Sequence, residues 1–236
     1  ARKRGIKVSY TPDAPAPAVA ELALSMILTL LRSVHVSNQQ MRQGNWKRIF
    51  GRRLSDTTVG IIGVGRIGTH LLRLMRGFGN IRILVNDIVP NHELDKEFKL
   101  EWVDKEKIYR EADVISLHLP LTPHTRGMIC REQLLQMKKD ASIINTSRGG
   151  IIHEIDLYNV MKEDHLKGAA IDVFEKEPYT GNLFEIDRCL LTAHMGSMSV
   201  DCRSQMEIEA TEEALRFLAG KPLKNEVPQS EYEIQS

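Results

Sequence analysis

Short, nearly continuous apolar runs recur along the chain, separated by glycine or polar clusters. Residues 59–62, 81–85, 113–117, 141–145, 168–171 and 189–192 each read as a strand buried on both faces, because they lack polar alternation. Between them, apolar positions three or four residues apart mark helices. Leu71, Leu72, Leu74, Met75 and Phe78 form one such stripe, and residues 131–137 and 154–161 form two more, the latter with Leu157 and Val160 inward. Residues 99–103 and 105–111 read as a short strand and a short helix. A last helix, capped by Ser197 or Ser199, reaches Leu218 and stops at Gly220, with Pro222 just beyond. Strands alternating with helices predict a doubly wound parallel sheet of the α/β class, with helices on both faces.

The first third is organised differently. Residues 5–10 read as a short strand. Three prolines between residues 11 and 17 restrict themselves and their predecessors, so this stretch reads as a hinge or connector. A helix follows over residues 18–43. Val19, Leu22, Leu24, Met26, Ile27, Leu30 and Leu31 make it apolar over most of its circumference, which predicts burial on more than one side. It is expected to pack on its own sheet and against a second subunit in a two-fold homodimer. Residues 44–46 end it, and residues 47–53 form a basic, solvated connector.

Composition adds bounds. The 236 residues suffice for one large domain, or one domain plus pieces of another. A net charge of +1 supplies no attraction for nucleic acid or an anionic membrane. The longest apolar stretch, residues 22–31, is too short to span a bilayer and is interrupted by Ser25 and Thr29. Arg2, Lys3 and Arg4 precede no apolar core of signal-peptide length. Cys130, Cys189 and Cys202 are widely spaced and form no metal-ligand pattern, which reads as reduced thiols in a cytoplasmic protein. No histidine has companion ligands, so no metal site is expected. The chain opens on Ala1 rather than methionine, which reads as a piece of a longer protein.

The most specific chemistry follows the run at residues 59–62. Gly63-Val64-Gly65-Arg66-Ile67-Gly68 stands between a strand and a helix. Gly63 permits a tight turn, Gly65 lets the backbone approach a pyrophosphate, and Gly68 lets helix and strand pack closely. The helix N-terminus then offers free N–H groups to the phosphates. Asp87 closes the next strand, about 20 residues beyond the fingerprint, where a carboxylate can hold ribose hydroxyls. The expected fold is thus Rossmann-type, with NAD as cofactor.

Ligands of such sheets bind beyond the carboxyl ends of the strands. His118 and Pro120 follow the strand ending at Leu117; Thr146, Ser147 and Arg148 follow the one ending at Asn145. Asp172 and Glu177 follow residues 168–171, and His194 and Gly196 follow residues 189–192. Arginine can grip a carboxylate through two hydrogen bonds, and histidine can exchange an alcohol proton near neutral pH. A neighbouring carboxylate orients that histidine. The set suits hydride transfer to a 2-oxo acid. Each residue also has a plainer reading: Arg148 as a surface arginine, Asp172 and Glu177 as loop or capping residues, His194 as a core histidine. His118 reads as cofactor-lining or structural.

These motifs, in this order over nearly the whole chain, resemble the D-isomer-specific 2-hydroxyacid dehydrogenase family. The segments that carry the resemblance include the glycine fingerprint, Leu117-His118-Leu119-Pro120-Leu121-Thr122, Ile144-Asn145-Thr146-Ser147-Arg148-Gly149-Gly150, Asp172-Val173-Phe174-Glu175-Lys176-Glu177-Pro178 and Leu191-Thr192-Ala193-His194-Met195-Gly196-Ser197. The resemblance implies that Arg148 binds the substrate carboxylate and polarises the oxo group. It implies that Glu177 pairs with His194, the acid/base. Arg66 and Ile67 would give N–H groups to the pyrophosphate, Asp87 would hold the adenosine ribose, and Asp172 the nicotinamide carboxamide. Thr146 and Gly196 would line the nicotinamide end. Residues 13–220 would be the NAD-binding domain, with residues 1–12 and 221–236 belonging to a substrate domain whose earlier segment lies outside this chain. The identity of the acid is therefore not readable. An interaction protein similar to the C-terminal-binding-protein corepressors, which pair NAD(H) binding with dimerisation, stands as the alternative.

Overall fold

The computed structural model describes residue 1 and residues 4–229; the remaining parts of the two expected substrate-domain segments, residues 2–3 and 230–236, lie outside the described residues. Its centre is a seven-stranded sheet of β1 (Thr58–Ile62), β2 (Arg82–Asn86), β3 (Leu100–Trp102), β4 (Val114–Leu117), β5 (Ser142–Asn145), β6 (Gly168–Ile171) and β7 (Cys189–Leu191). The order is β3-β2-β1-β4-β5-β6-β7, and every pairing is parallel. The order reverses between β1 and β4, where a crevice opens at the strands' carboxyl ends.

Successive side chains leave opposite faces of the sheet, and each face has its own core. Val59, Ile61, Val85, Val114 and Ile144 pack on one side with α1 (Pro15–Arg32) and α3 (Arg66–Met75). Ile62, Leu84, Ile115, Leu117 and Ile143 pack on the other with α4 (Lys105–Glu111), α5 (Arg131–Gln136) and α6 (Glu154–Lys162). Burial on both faces is why these strands read as unbroken apolar runs. The last helix, α7 (Val200–Leu218), is capped by Ser199, whose side chain accepts from the Cys202 amide.

Two expectations are corrected. The helix expected over residues 18–43 is two helices, α1 and α2 (Val34–Arg42). Between them Ser33 takes a left-handed conformation (φ 50°), and its amide turns back to the Leu30 and Thr29 carbonyls. The cause is a change in packing: α1 buries eight residues from Ala16 to Leu31, whereas α2 buries none. Beyond Leu31 no core holds the chain to the first helix axis. The expected strand over residues 5–10 is reduced to a bridge between Ser9 and Glu226, flanked by bonds from the Tyr10 amide to the Asn225 carbonyl and from the Val227 amide to the Val8 carbonyl. Among the described residues, only that short stretch has a strand partner. α1 is long and apolar enough by composition to cross a membrane, yet Ala20, Ala23 and Ile27 are fully buried against the protein's own core.

Candidate active site

The glycine loop joins β1 to α3. Gly63 has φ +96°, and a Cβ there would fall 2.3 Å from the His118 carbonyl; one on Gly68 would fall 2.3 Å from the Gly63 carbonyl. Any larger residue would push the loop off β4 or the helix off the loop. At Gly65 the opposite holds, since a Cβ would meet nothing within 4 Å. The backbone there borders open space. No side chain caps α3, so the first-turn amides of Arg66 and Ile67 face that space without intrahelical acceptors. Asp87 stands at the end of β2. Its two oxygens accept from the Val64 and Val89 amides at 2.6 and 3.0 Å, which leaves acceptor capacity on each for hydroxyl groups.

Beyond β4 and β5, two polar atoms are withdrawn from solvent with no partner among the described residues: His118 Nδ1 and Thr146 Oγ1. His118 Nε2 lies 2.9 Å from Ser116 Oγ, and burial pushes its pKa down to about 4. An open cradle, free helix amides and two orphaned polar groups fit a dinucleotide. Arg148 follows Thr146 by two residues and is exposed to the cleft; its Nη1 donates to the Ser147 carbonyl at 2.6 Å.

His194 and Glu177 meet as expected, with Nδ1 2.8 Å from Oε2. A carboxylate can only accept, so Nδ1 carries the hydrogen and Nε2 is the nitrogen free to exchange a proton. The second Glu177 oxygen accepts from the Phe174 amide at 3.0 Å. Burial alone would raise the Glu177 carboxyl. Its hydrogen bonds to His194 and Phe174, with the charges of His194 and Arg148, outweigh that and hold it below the ordinary carboxylate value. His194 itself sits at φ 52°, a left-handed backbone uncommon outside glycine.

Asp172 explains how that conformation persists. It is fully buried, and its carboxylate accepts from Thr192 Oγ1, the Met195 amide and the Gly196 amide at 2.6, 2.7 and 3.0 Å. Its own carbonyl accepts from the His194 amide at 2.8 Å. The structure thus sets the Asp172 carboxylate beneath the His194 loop rather than on the cleft wall.

A cleft of about 510 Å³ brings together Gly65, Arg66, Ile67, His118, Pro120, Thr146, Arg148, His194 and Gly196. Glu177 lies behind His194 and lines a neighbouring apolar cavity of about 570 Å³ with Phe174, Tyr179 and Phe184. Tyr10 and Met206 also line the cleft and were not singled out from sequence. Tyr10 arrives through the bridge between residues 9 and 226, and Met206 through α7; both segments were expected, but their approach to the cleft is a tertiary contact that leaves no local signal.

A family model described as the NAD-binding domain of D-isomer specific 2-hydroxyacid dehydrogenases matches residues 24–196. The chain belongs to this family. A glyoxylate reductase of Korarchaeum cryptofilum is 36% identical over 243 residues, covering all of this chain and 73% of that protein. A D-3-phosphoglycerate dehydrogenase of Methanocaldococcus jannaschii is 36% identical over 96% of this chain and 44% of its own length. The structure of an Aquifex aeolicus D-lactate dehydrogenase, complexed with NAD and lactic acid, superposes with a TM-score of 0.87 at 27% identity, covering 96% of this chain and 74% of that one. The dehydrogenase is NAD-dependent and acts between 2-hydroxy and 2-oxo acids of the D series. The corepressor-like alternative is not favoured, since these relatives carry reductase and dehydrogenase names.

Proposed function

We propose that Arg148, Glu177 and His194 catalyse the interconversion of a small D-2-hydroxy acid with its 2-oxo acid. The observation that carries this is the 2.8 Å contact between His194 and Glu177 on a loop that shares one cleft with Arg148 and the glycine cradle. Arg148 grips the substrate carboxylate through two hydrogen bonds. During reduction the protonated His194 gives its Nε2 proton to the oxo oxygen; during oxidation the neutral ring takes it from the hydroxyl. Glu177 stays ionised and holds Nδ1–H, which keeps Nε2 turned toward the substrate oxygen. Bound NAD(H) supplies or accepts the hydride. The amides of Arg66 and Ile67 receive the pyrophosphate, Asp87 the ribose, and His118, Pro120, Thr146 and Gly196 line the nicotinamide end. The resemblance would give the carboxamide to Asp172, but its buried carboxylate is taken up by the His194 loop, so Asp172 serves the nicotinamide end by holding that loop.

Residues 13–220 form the NAD-binding domain in this reading, with residues 1–12 and 221–236 in the substrate domain. The name of the glyoxylate reductase relative points to glyoxylate as substrate. Three free thiols, with Cys189 pushed up to about 12 by burial, suit the reducing cytoplasm, which cell fractionation checks.

The test is steady-state kinetics with glyoxylate, beside NADH titration. His194→Asn is expected to cut turnover in both directions by roughly 10²–10⁴-fold with NADH affinity retained. Arg148→Ala is expected to weaken the oxo acid as well as turnover, and Asp87→Ala to weaken NADH alone. Full activity in the His194 variant would remove it from the mechanism.

A further inference from the structure

Asn145, the last residue of β5, is only 2% exposed. Its amide serves the turn that follows at both ends. Oδ1 accepts from the Ser147 amide at 3.1 Å and lies 2.9 Å from the Ser147 hydroxyl, while Nδ2 donates to the Arg148 carbonyl at 2.9 Å. The Ser147 hydroxyl also lies 2.9 Å from the carbonyl of Leu117, the end of β4; its single proton serves one acceptor at a time. The turn is thereby fastened to two strands. On its far side Gly149 lies so close to Phe174 that a Cβ would fall 1.9 Å from the Phe174 carbonyl. The backbone of Arg148 is fixed from within and from without, whereas among the described residues its guanidinium has a single hydrogen bond, to the Ser147 carbonyl.

We propose that Asn145 is a positioning residue for substrate: by holding the Arg148 carbonyl it aims the guanidinium and sets where the oxo acid carboxylate lies relative to His194. The inference rests on the reading of Arg148 as the carboxylate grip. A planar amide is suited to the task because it accepts at one end and donates at the other. Aspartate has the same shape and keeps the acceptor, but it loses the donor and sets a negative charge against the Arg148 carbonyl oxygen. Alanine leaves that carbonyl and the Ser147 amide without their buried partner. Misplacing a substrate-aligning group by about 1 Å costs on the order of 10²-fold in rate.

Four variants of the full chain decide it: Asn145→Ala, Asn145→Asp, Arg148→Ala and the Asn145→Ala/Arg148→Ala pair. Each is measured for kcat and KM with glyoxylate as probe and for NADH affinity by fluorescence. Both Asn145 variants should lose ~10–100-fold in kcat/KM, mostly in KM, with NADH affinity within about 3-fold of the parent. If Asn145→Ala fails to bind NADH through misfolding, the isosteric Asn145→Asp carries the comparison, paired in the same way with Arg148→Ala. Because Asn145 acts through Arg148, its replacement in the Arg148→Ala background should cost less than about 3-fold more. Equal losses with and without Arg148 would overturn the inference and leave the grip standing. An Arg148→Ala variant with unchanged kcat/KM would overturn the grip, and the inference with it.

Discussion

His118 is a residue whose environment can be read as a pH dependence. One ring nitrogen meets Ser116 and the other has no partner. In the unfolded chain an imidazole takes its proton near pH ~6.5, whereas here burial delays protonation to about 4. Between those values the unfolded chain binds more protons than the folded one. The contribution of His118 to stability is therefore complete above pH ~6.5 and declines as pH falls toward 4. Burial lowers His35 too, so its contribution has the same sign. The lowered Glu177 carboxyl acts in a more acid window, since its contribution is lost only below the ordinary carboxylate range. The urea midpoint of the parent should fall between pH 7.5 and 5. In His118→Gln that fall should shrink, with His35 accounting for a remainder; an undiminished fall would mean that His118 does not titrate as its surroundings demand.

At the scale of elements, the loops after β5 and β6 act as one unit. Gly149 presses on the backbone at Phe174, and the Phe174 amide orients Glu177, so the Arg148 turn and the Glu177 loop share a boundary. Gly149→Ala cannot be absorbed by a flexible side chain, because the clash is with backbone on the far side. We expect a lower melting temperature and a loss of turnover together, with NADH binding less affected because the glycine cradle belongs to the loop after β1 and not to the two loops in contact. A variant with parental melting and kinetics would show that the loops have room to separate. The same contact shows what could be read in advance. The strands were legible because both sheet faces are covered, which leaves unbroken apolar runs. The glycine fingerprint, Arg148, Glu177 and His194 were legible because each stands just past a strand end. The break at Ser33 was not, since the apolar pattern runs on through Val34 and Val36 and only packing ends it. The loop-holding contacts of Asp172 were equally hidden, because they depend on Thr192, Met195 and Gly196 returning from 20 or more residues away.

For the whole molecule, the open question of architecture is what covers the segment beyond α1. The sequence placed an interface along one long apolar helix, yet the inward stripe of α1 is absorbed by its own core. The uncovered apolar surface lies further on: Val34 and Met41 on α2 are 53% and 49% exposed, and Trp46 and Phe50 on the connector are 78% and 96% exposed. The connector is nonetheless held in place. The Arg52 amide donates to the Leu31 carbonyl at 3.0 Å, and the Arg52 guanidinium lies 2.9 Å from Asp113. A tethered segment that presents two bare aromatic rings has the character of an interface core, since such rings bury roughly 150–250 Å² each. A patch of this kind would suit the expected two-fold homodimer, which would need to bury on the order of 1,000 Å² or more. The parent protein should sediment as a dimer at micromolar concentration. Trp46→Ser combined with Phe50→Ser should shift it to monomer while the far-ultraviolet circular dichroism stays unchanged, because neither ring contributes to the core. A parent that sediments as a monomer across that range would remove the dimer, and leave the rings to be covered by some other surface.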